Sequence, residues 1–338
     1  MASNVFSLHI DDYLTKIVHL NFSKGQIELL SLGYDATVSN FFTNPNEKTA
    51  TAQSQVIAHL VHELNIGQEA VQITIPDSMT FTQLTVMPNL KESELAKSIR
   101  LQVDEFVPLP VSEVNIDFEI IDKLPENRLL ILLVAIQKKL ASHIAHTAEL
   151  AKLESVSLEN DQNVLGRFFT EADNFIKDPS IIFNFGFLGS SIYVKNGQTP
   201  YFQYTKTVRI GYQSFIKDIK INFNVDDKKA IEILQKIGLA PNASINVSQV
   251  IDPLITQIAA ELEKTIHFMK DRYQVNIKHV YLMNYDIYIN YLQAVVQNRL
   301  SIVTMSMPLG NMFIPNQITQ SFRHSLSSFL PVIAGHLR

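Results

Sequence analysis

"VMPNLKESELAKSIRLQVDEFVPLPVSEVNIDFEIID" (residues 86–122) is the stretch on which the fold turns. Its first residues close an alternating strand, "FTQLTVMP", and "LKESELAKSIRLQVDEFV" then has the apolar spacing of an amphipathic helix. Pro108 and Pro110 stop that helix, because proline lacks the N–H the helix needs and crowds the preceding turn. "NIDFEIID" alternates again as a half-buried strand, and "RLLILLVAIQ" is apolar enough for a strand covered on both faces. A turn at Pro125, Glu126 and Asn127 separates them, so residues 81–137 are expected to form a strand–helix–strand–strand module.

On the N-terminal side, "FSLHIDDYLTKIVHL" reads as two strands around a tight turn at Asp11 and Asp12, and "GQIELLSLGYDATV" as a third strand. "NEKTATAQSQVIAHLVHELNI" carries Val56, Leu60, Val61 and Leu64 at helical spacing, and "AVQITIP" follows as a short strand. On the C-terminal side, "KKLASHIAHTAELAKLE" predicts a helix, and the turn residues Asp178, Pro179 and Ser180 mark a boundary. Three strands follow, with turns at residues 185–190 and at Asn196-Gly197, a hairpin signal. Helices over about residues 212–222 and 226–237, a longer one in "VIDPLITQIAAELEKTIHFMKDRY", the strand "IKHVYLMN" and a closing helix in "SFRHSLSSFLPVIAGHLR" complete the pattern. The two hairpins, one opening each half, are the nearest thing to an internal repeat.

Composition narrows the function. A chain of 338 residues allows two domains, and 46% apolar with 18% charged residues is a globular balance. The net charge of −5 comes with no basic stripe, which speaks against nucleic acid as a partner. The absence of cysteine excludes disulfides, thiolate metal sites and thiol nucleophiles. "MASNVFSLHI" lacks the basic flank and apolar run of a signal peptide, and "LLILLVAI" is too short to cross a bilayer as a helix.

Met87-Pro88, the helix from Glu92, "FVPLP" (residues 106–110) and "IDFEII" (residues 116–121) together resemble the signature segment of PilM, the actin-like protein of type IV pilus assembly. The C-terminal "SFLPVIAGHLR" is similar to that family's closing helix, so the resemblance runs over nearly the whole chain. It implies an α/β, actin-like (ribonuclease H-like) fold of two halves around a nucleotide cleft, with an inserted strand–helix–strand–strand (SHS2-like) subdomain. On this reading residues 1–80 form the first half, 81–150 the insertion, 151–178 the return to the first half, 179–320 the second half and 321–338 the closing helix.

The family's nucleotide loops are altered at three places. Its first phosphate hairpin resembles "SLHIDDYLTK", where Lys16 is kept, His9 stands in place of the acidic residue and Asp11 in place of the first turn glycine. Glycine lets a phosphate approach the backbone, whereas two carboxylates would repel it; Asp11 and Asp12 read as a solvated turn, with a metal-assisted role as the alternative, and His9 as a strand residue rather than a base or ligand. In the second loop, "FNFGFLGSS", Asn184 replaces the acidic residue while Gly186, Gly189 and Ser190 remain. This loop is the best candidate for a residual phosphate contact; otherwise its glycines are turn formers. The third, adenosine-holding loop aligns with Asn284, Tyr285 and Asp286 in place of glycines, although Tyr285 could stack on a base. Three losses together imply a pseudo-ATPase, with no cofactor expected and ATP/Mg left to residual binding through Lys16, Asn184, Gly186, Gly189 and Ser190.

Other constellations are thin. His143 and His146 stand three apart on one helix with no third ligand, and read as exposed helix histidines; no metal is expected. "GSS" (residues 189–191) lacks a nucleophile-elbow pattern, and Asn242 and Asn246 match glycosylation triplets without a secretion signal. The acidic pair Asp104-Glu105 reads as a helix face, and "EFVPLP" as core packing or as part of a partner groove, with Phe106, Val107 and Pro108 as candidate contacts. The resemblance implies that the partner is the cytoplasmic N-terminal tail of a PilN-like bitopic inner-membrane protein, with pilus motor or platform proteins as further partners. It implies a non-catalytic cytoplasmic scaffold, peripheral to the inner membrane through that partner. The alternatives are an actin-like ATPase of the same machine and a GspL-like type II secretion component, which would continue past Arg338 into a membrane helix. An FtsA-like role would call for a C-terminal amphipathic membrane helix beyond the fold.

Overall fold

The computed structural model describes residues 5–23, 25–102, 107–171, 176–197, 199, 201–241, 243 and 245–337. The chain divides into two compact units, one of residues 3–19 and 31–163, the other of residues 20–30 and 164–338.

In the first unit, β1 (Val5–Ile10), β2 (Leu14–Ser23), β3 (Gln26–Ala36), β4 (Ala70–Ile75) and β8 (Glu154–Asn160) belong to one sheet of order β3-β2-β1-β4-β8, the outer ends of β2 and β3 counting with the second unit. β1 pairs antiparallel with β2 and parallel with β4, and β4 runs parallel to β8. Helices α1 (Glu47–Glu63) and α3 (Lys138–Leu150) supply Ile57, Leu60, Leu140 and Ile144 to a core with Leu8, Ile10, Ile73 and Ile75. Asn46 starts α1 with a capping box: its side chain accepts from Lys48 and Thr49 N–H groups while Thr49 accepts from the Asn46 N–H.

Between β4 and β8 lies the expected module. Its sheet has the order β5-β7-β6, made of β5 (Phe81–Pro88), β6 (Val114–Leu124) and β7 (Arg128–Gln137), with α2 (Glu92–Gln102) after β5. Both strand pairs are antiparallel. Met87, Leu129, Ile131, Leu133 and Val114 close a small core with Leu95 and Ile99 of α2, so the module has an interior of its own. β6 is an edge strand with a register shift between Ile120 and Asp122.

The second unit repeats the first sheet's plan. β9 (Ser180–Phe185), β10 (Ser190–Lys195), β11 (Tyr204–Val208), β12 (His279–Asn284) and β13 (Val303–Ser306) run in the order β11-β10-β9-β12-β13. As in the first sheet, the opening strand is antiparallel to its hairpin partner and parallel to the next strand, which is parallel to the last. The unit's helices are α4 (Asp161–Glu171), which straddles the boundary, α5 (Tyr212–Phe223), α6 (Asp227–Lys236), α7 (Val247–Tyr273), α8 (Leu292–Leu300), α9 (Gln317–Ser321) and α10 (Leu330–Gly335).

The sequence pattern misses β8, α4, α8, β13 and α9. It also overextends the closing helix: only Leu330–Gly335 is α-helical, because Pro331 fits the first turn of a helix and not its interior. No helix among the described residues is long and apolar enough to cross a membrane.

Candidate functional site

The turn between β1 and β2 is built around one carboxylate. Asp11 Oδ1 accepts hydrogen bonds from the N–H groups of Tyr13 and Leu14, both at 2.7 Å. Its other oxygen lies 3.5 Å from Lys16 Nζ, and both side chains are buried. This corrects the reading of Asp11 as solvated: its side chain is 2% exposed, because the turn folds the carboxylate inward onto its own backbone donors. Asp12 is half-buried, and burial followed by the charge of Asp11 pushes its carboxyl up to about 7. Burial also lowers the Lys16 ammonium, while Asp11 and Asp161 oppose that shift.

The strand register places His9 directly opposite Lys16, so both project from one face of the sheet. His9 is fully buried, and its Nε2 is 3.0 Å from Asp161 Oδ1 at the start of α4. Asp77 Oδ1 accepts the Gln162 N–H at 2.8 Å and helps fix that helix start. Asp161 escapes the sequence reading because β8, which delivers it, is largely polar and exposed over its first three residues. Beside this cluster, Gln53 of α1 donates to Thr15 Oγ1 at 2.8 Å, and Thr15 pairs with Thr37 at 2.9 Å.

In the second unit, the β9–β10 loop is occupied by the chain itself. The first N–H groups of α5, those of Tyr212 and Gln213, donate to the carbonyls of Gly186 and Phe187, each at 3.0 Å. A helix N-terminus otherwise offers such donors to an anion. The approach is close: a Cβ on Gly211 would stand 2.2 Å from the Phe187 carbonyl oxygen, and one on Gly186 would stand 2.2 Å from the Gly189 oxygen. Ser190 Oγ donates to the Ile210 carbonyl at 2.5 Å, and Asn184 is buried, accepting from Asn284 Nδ2 at 3.1 Å.

The loop after β12 is filled by aromatic rings. Tyr285 is fully buried and stacks on Tyr212 with centroids 5.5 Å apart and planes 16° apart, while Phe187 and Tyr288 close the cluster at 5.7 and 5.5 Å. Its ring faces are therefore covered by protein rather than open to a base. Asn284 has φ 75° and ψ −105°, a conformation native to glycine, so this backbone keeps a glycine shape under a different side chain. Asp286 is buried, accepts from Ser306 Oγ, and is pushed up to about 6 by burial.

Of the histidine pair, His143 departs from the exposed reading, whereas the His146 side chain is 43% exposed. His143 is buried beside the Phe41 ring at 4.7 Å, and burial lowers its pKa; His146 bonds Glu47 at 3.0 Å. Among the described residues no group of three or more His, Asp or Glu could hold a metal.

A separate groove of about 840 Å³ runs where the inserted module meets α3, lined by Val111, Val114, Ile116, Val134, Ile136 and Ala141 among others. Arg100 and Asp117 reach it as well, and Lys138 Nζ at its edge bonds the Ser112 carbonyl at 2.7 Å. Of the sequence candidates for partner contact, Phe106 lies outside the described residues. Val107 is buried in the module's core, which leaves it no face for a partner, and Pro108 is exposed. The groove residues of β6, β7 and α3 escape the reading because they are separate segments brought together by the fold.

Two sheets of matching strand order, each opened by a hairpin, define an actin-like protein, and solved structures agree. An ethanolamine utilization protein EutJ from Carboxydothermus hydrogenoformans is 12% identical at a TM-score of 0.55, with 98% of this chain and 88% of that chain covered. MreB 5 of Spiroplasma citri, solved bound to AMPPNP, is 9% identical at 0.52, with 98% and 94% covered. The structure of a PilM-PilN type IV pilus biogenesis complex is far more similar, at a TM-score of 0.85 and 17% identity, covering 100% of this chain and 99% of that one. Residues 8–334 match the family described as type IV pilus assembly protein PilM, and the chain belongs to that family.

Proposed function

We propose that the protein is a non-catalytic scaffold of type IV pilus assembly, holding the cytoplasmic N-terminal tail of a PilN-like bitopic membrane protein in the groove between the inserted module and α3. The observation that carries this is the groove itself: an apolar floor beside an edge strand, β6, whose outer backbone groups have no strand partner among the described residues. Capture of an extended peptide needs those two features and no catalytic group. The similar PilM structure was solved as a complex with PilN, which supports the choice of partner. Attachment through the tail would hold the protein at the inner face of the membrane, as no described helix spans it.

The pseudo-ATPase reading draws support from the three loops. Asp11 takes the hairpin's donors, the α5 N-terminus is spent on loop carbonyls, and Tyr212 and Tyr285 fill the space after β12. A synthetic N-terminal tail peptide of the PilN-like partner, titrated by calorimetry, is expected to bind, and Ala141→Glu, at a half-buried position of α3 lining the groove, to abolish binding without lowering the melting temperature. Equal binding by that variant would overturn the groove assignment. ATP with Mg²⁺ at millimolar concentration is expected to give no heat, and saturable binding would overturn the pseudo-ATPase reading.

A further inference from the structure

We infer that the inserted module reads charge in its partner: a row of carboxylates on β6, Asp117, Glu119 and Asp122, takes Lys and Arg residues that lie between the tail's apolar anchor and its membrane helix. Given the groove assignment above, on which this rests, the row sets the order and spacing of the residues bound. Strand register fixes it. Asp117 lies opposite Val134, Glu119 opposite Leu132 and Asp122 opposite Leu130, the shift after Ile120 returning Asp122 to the same face. Val134 lines the groove, so the carboxylates and these β7 residues share the groove's face of the sheet. On the other side of β7, Leu84 lies opposite Leu132, and Val86, 46% exposed, opposite Leu130. The face thus carries an apolar stripe with one acidic border, running from the groove toward the turn after β6.

Asp117 and Glu119 are exposed and Asp122 is half-buried, and among the described residues none of the three forms an ion pair. Lys123, the cation next to them on the strand, lies opposite Leu129 and so projects from the other face. Arg128 is engaged by Glu126, while Arg100 and Lys138 belong to the groove end, Lys138 held on the Ser112 carbonyl. Charges on an edge strand discourage pairing with an acidic or neutral strand, whereas a basic strand finds its partners there. Cytoplasmic segments beside a membrane helix carry an excess of Lys and Arg. In an N-terminal tail those residues stand C-terminal to the anchor, nearest the bilayer. β6 runs from Val114 at the groove to Leu124 at the turn. An anchored tail whose basic residues follow the row therefore lies parallel to β6. Its basic side chains fall at alternate positions, because alternate residues of an extended strand share a face.

The test is a charge swap read by calorimetry. The probes are a synthetic tail peptide ending at the membrane helix, a version with its Lys and Arg residues changed to Gln, and a version with them changed to Glu. Asp117→Lys combined with Glu119→Lys should weaken the native peptide about tenfold, as expected of two exposed ion pairs replaced by like charges. The Glu peptide should bind that variant more tightly than it binds the native protein. Added sodium chloride should weaken the native peptide and leave the Gln peptide unchanged. A peptide with its basic residues moved ahead of the anchor should bind no better than the Gln peptide. Equal affinity of the native and Gln peptides, or unchanged binding by the double Lys variant, would overturn the inference. If that variant does not fold, Asp117→Asn with Glu119→Gln takes its place, and the salt dependence should disappear; its persistence would count against the row. Binding that ignores the charge swap but is lost in Ala141→Glu refutes the row and leaves the groove. Binding that obeys the swap but survives Ala141→Glu refutes the groove and leaves the row, and a tail that does not bind refutes both.

Discussion

Asp286→Asn isolates the cost of one buried charge. The Asp286 carboxyl is 2% exposed, receives a hydrogen bond from Ser306, and has no partner for its Oδ1 atom. Burial moves it from 3.8 to about 6. Its folded pKa is thus above its unfolded one, so the folded state holds the proton more tightly, and stability falls as pH rises from about 4 through about 6. At about 1.4 kcal/mol for each tenfold change in proton affinity, ionising the folded protein at pH 7.5 costs up to roughly 3 kcal/mol. Asparagine removes that cost but places an amide N–H₂ where Oδ1 lacks a partner, losing about 1 kcal/mol at every pH. Urea unfolding at a series of pH values should therefore find the variant about 1 kcal/mol less stable than the native protein near pH 4. By pH 7.5 it should be about 2 kcal/mol more stable. All other groups titrate alike in both proteins, so the difference curve reports Asp286 alone. A difference constant within about 0.5 kcal/mol across the range would refute the reasoning.

Two further substitutions test the buried loops. At Asn284, whose φ is 75°, glycine and alanine both remove the bond to Asn184, so their difference reports the backbone. Glycine should be the more stable by roughly 1–2 kcal/mol in urea unfolding, and equal stabilities would count against the strained conformation. Asp161→Leu leaves His9 and Lys16 facing one carboxylate fewer and should cost about 3–5 kcal/mol, whereas His9→Phe combined with Asp161→Leu should recover part of that loss. Additive losses in this double-mutant cycle would show that the two side chains do not act as a pair.

The module at residues 81–137 was legible because its signals are local: proline stops, strand alternation and a helical apolar face all fall within one segment. The paired hairpins were legible for the same reason. Asp11 was misread because an acidic pair at a turn is solvated on any local view. Only the β1–β2 pairing shows Lys16 reaching back to it, and only α4 brings Asp161 to His9. Tyr285 looked open to a base because Tyr212, its stacking partner, comes from a remote helix. β8 has few apolar residues to mark it, and its parallel neighbour β4 lies far back in the chain.

That last pairing shapes how the chain comes off the ribosome. β4 needs β8 on its far side, and about eighty residues, the whole module and α3, are made between them. At roughly 5–20 residues per second, β4 stands for about 4–16 seconds as a bare apolar edge in a half-made sheet. The antiparallel hairpin of β6 and β7 can form in microseconds within that wait. The module can thus be complete before its host closes, and during synthesis the unpaired edge of β4 is where a nascent-chain chaperone has the most to shield.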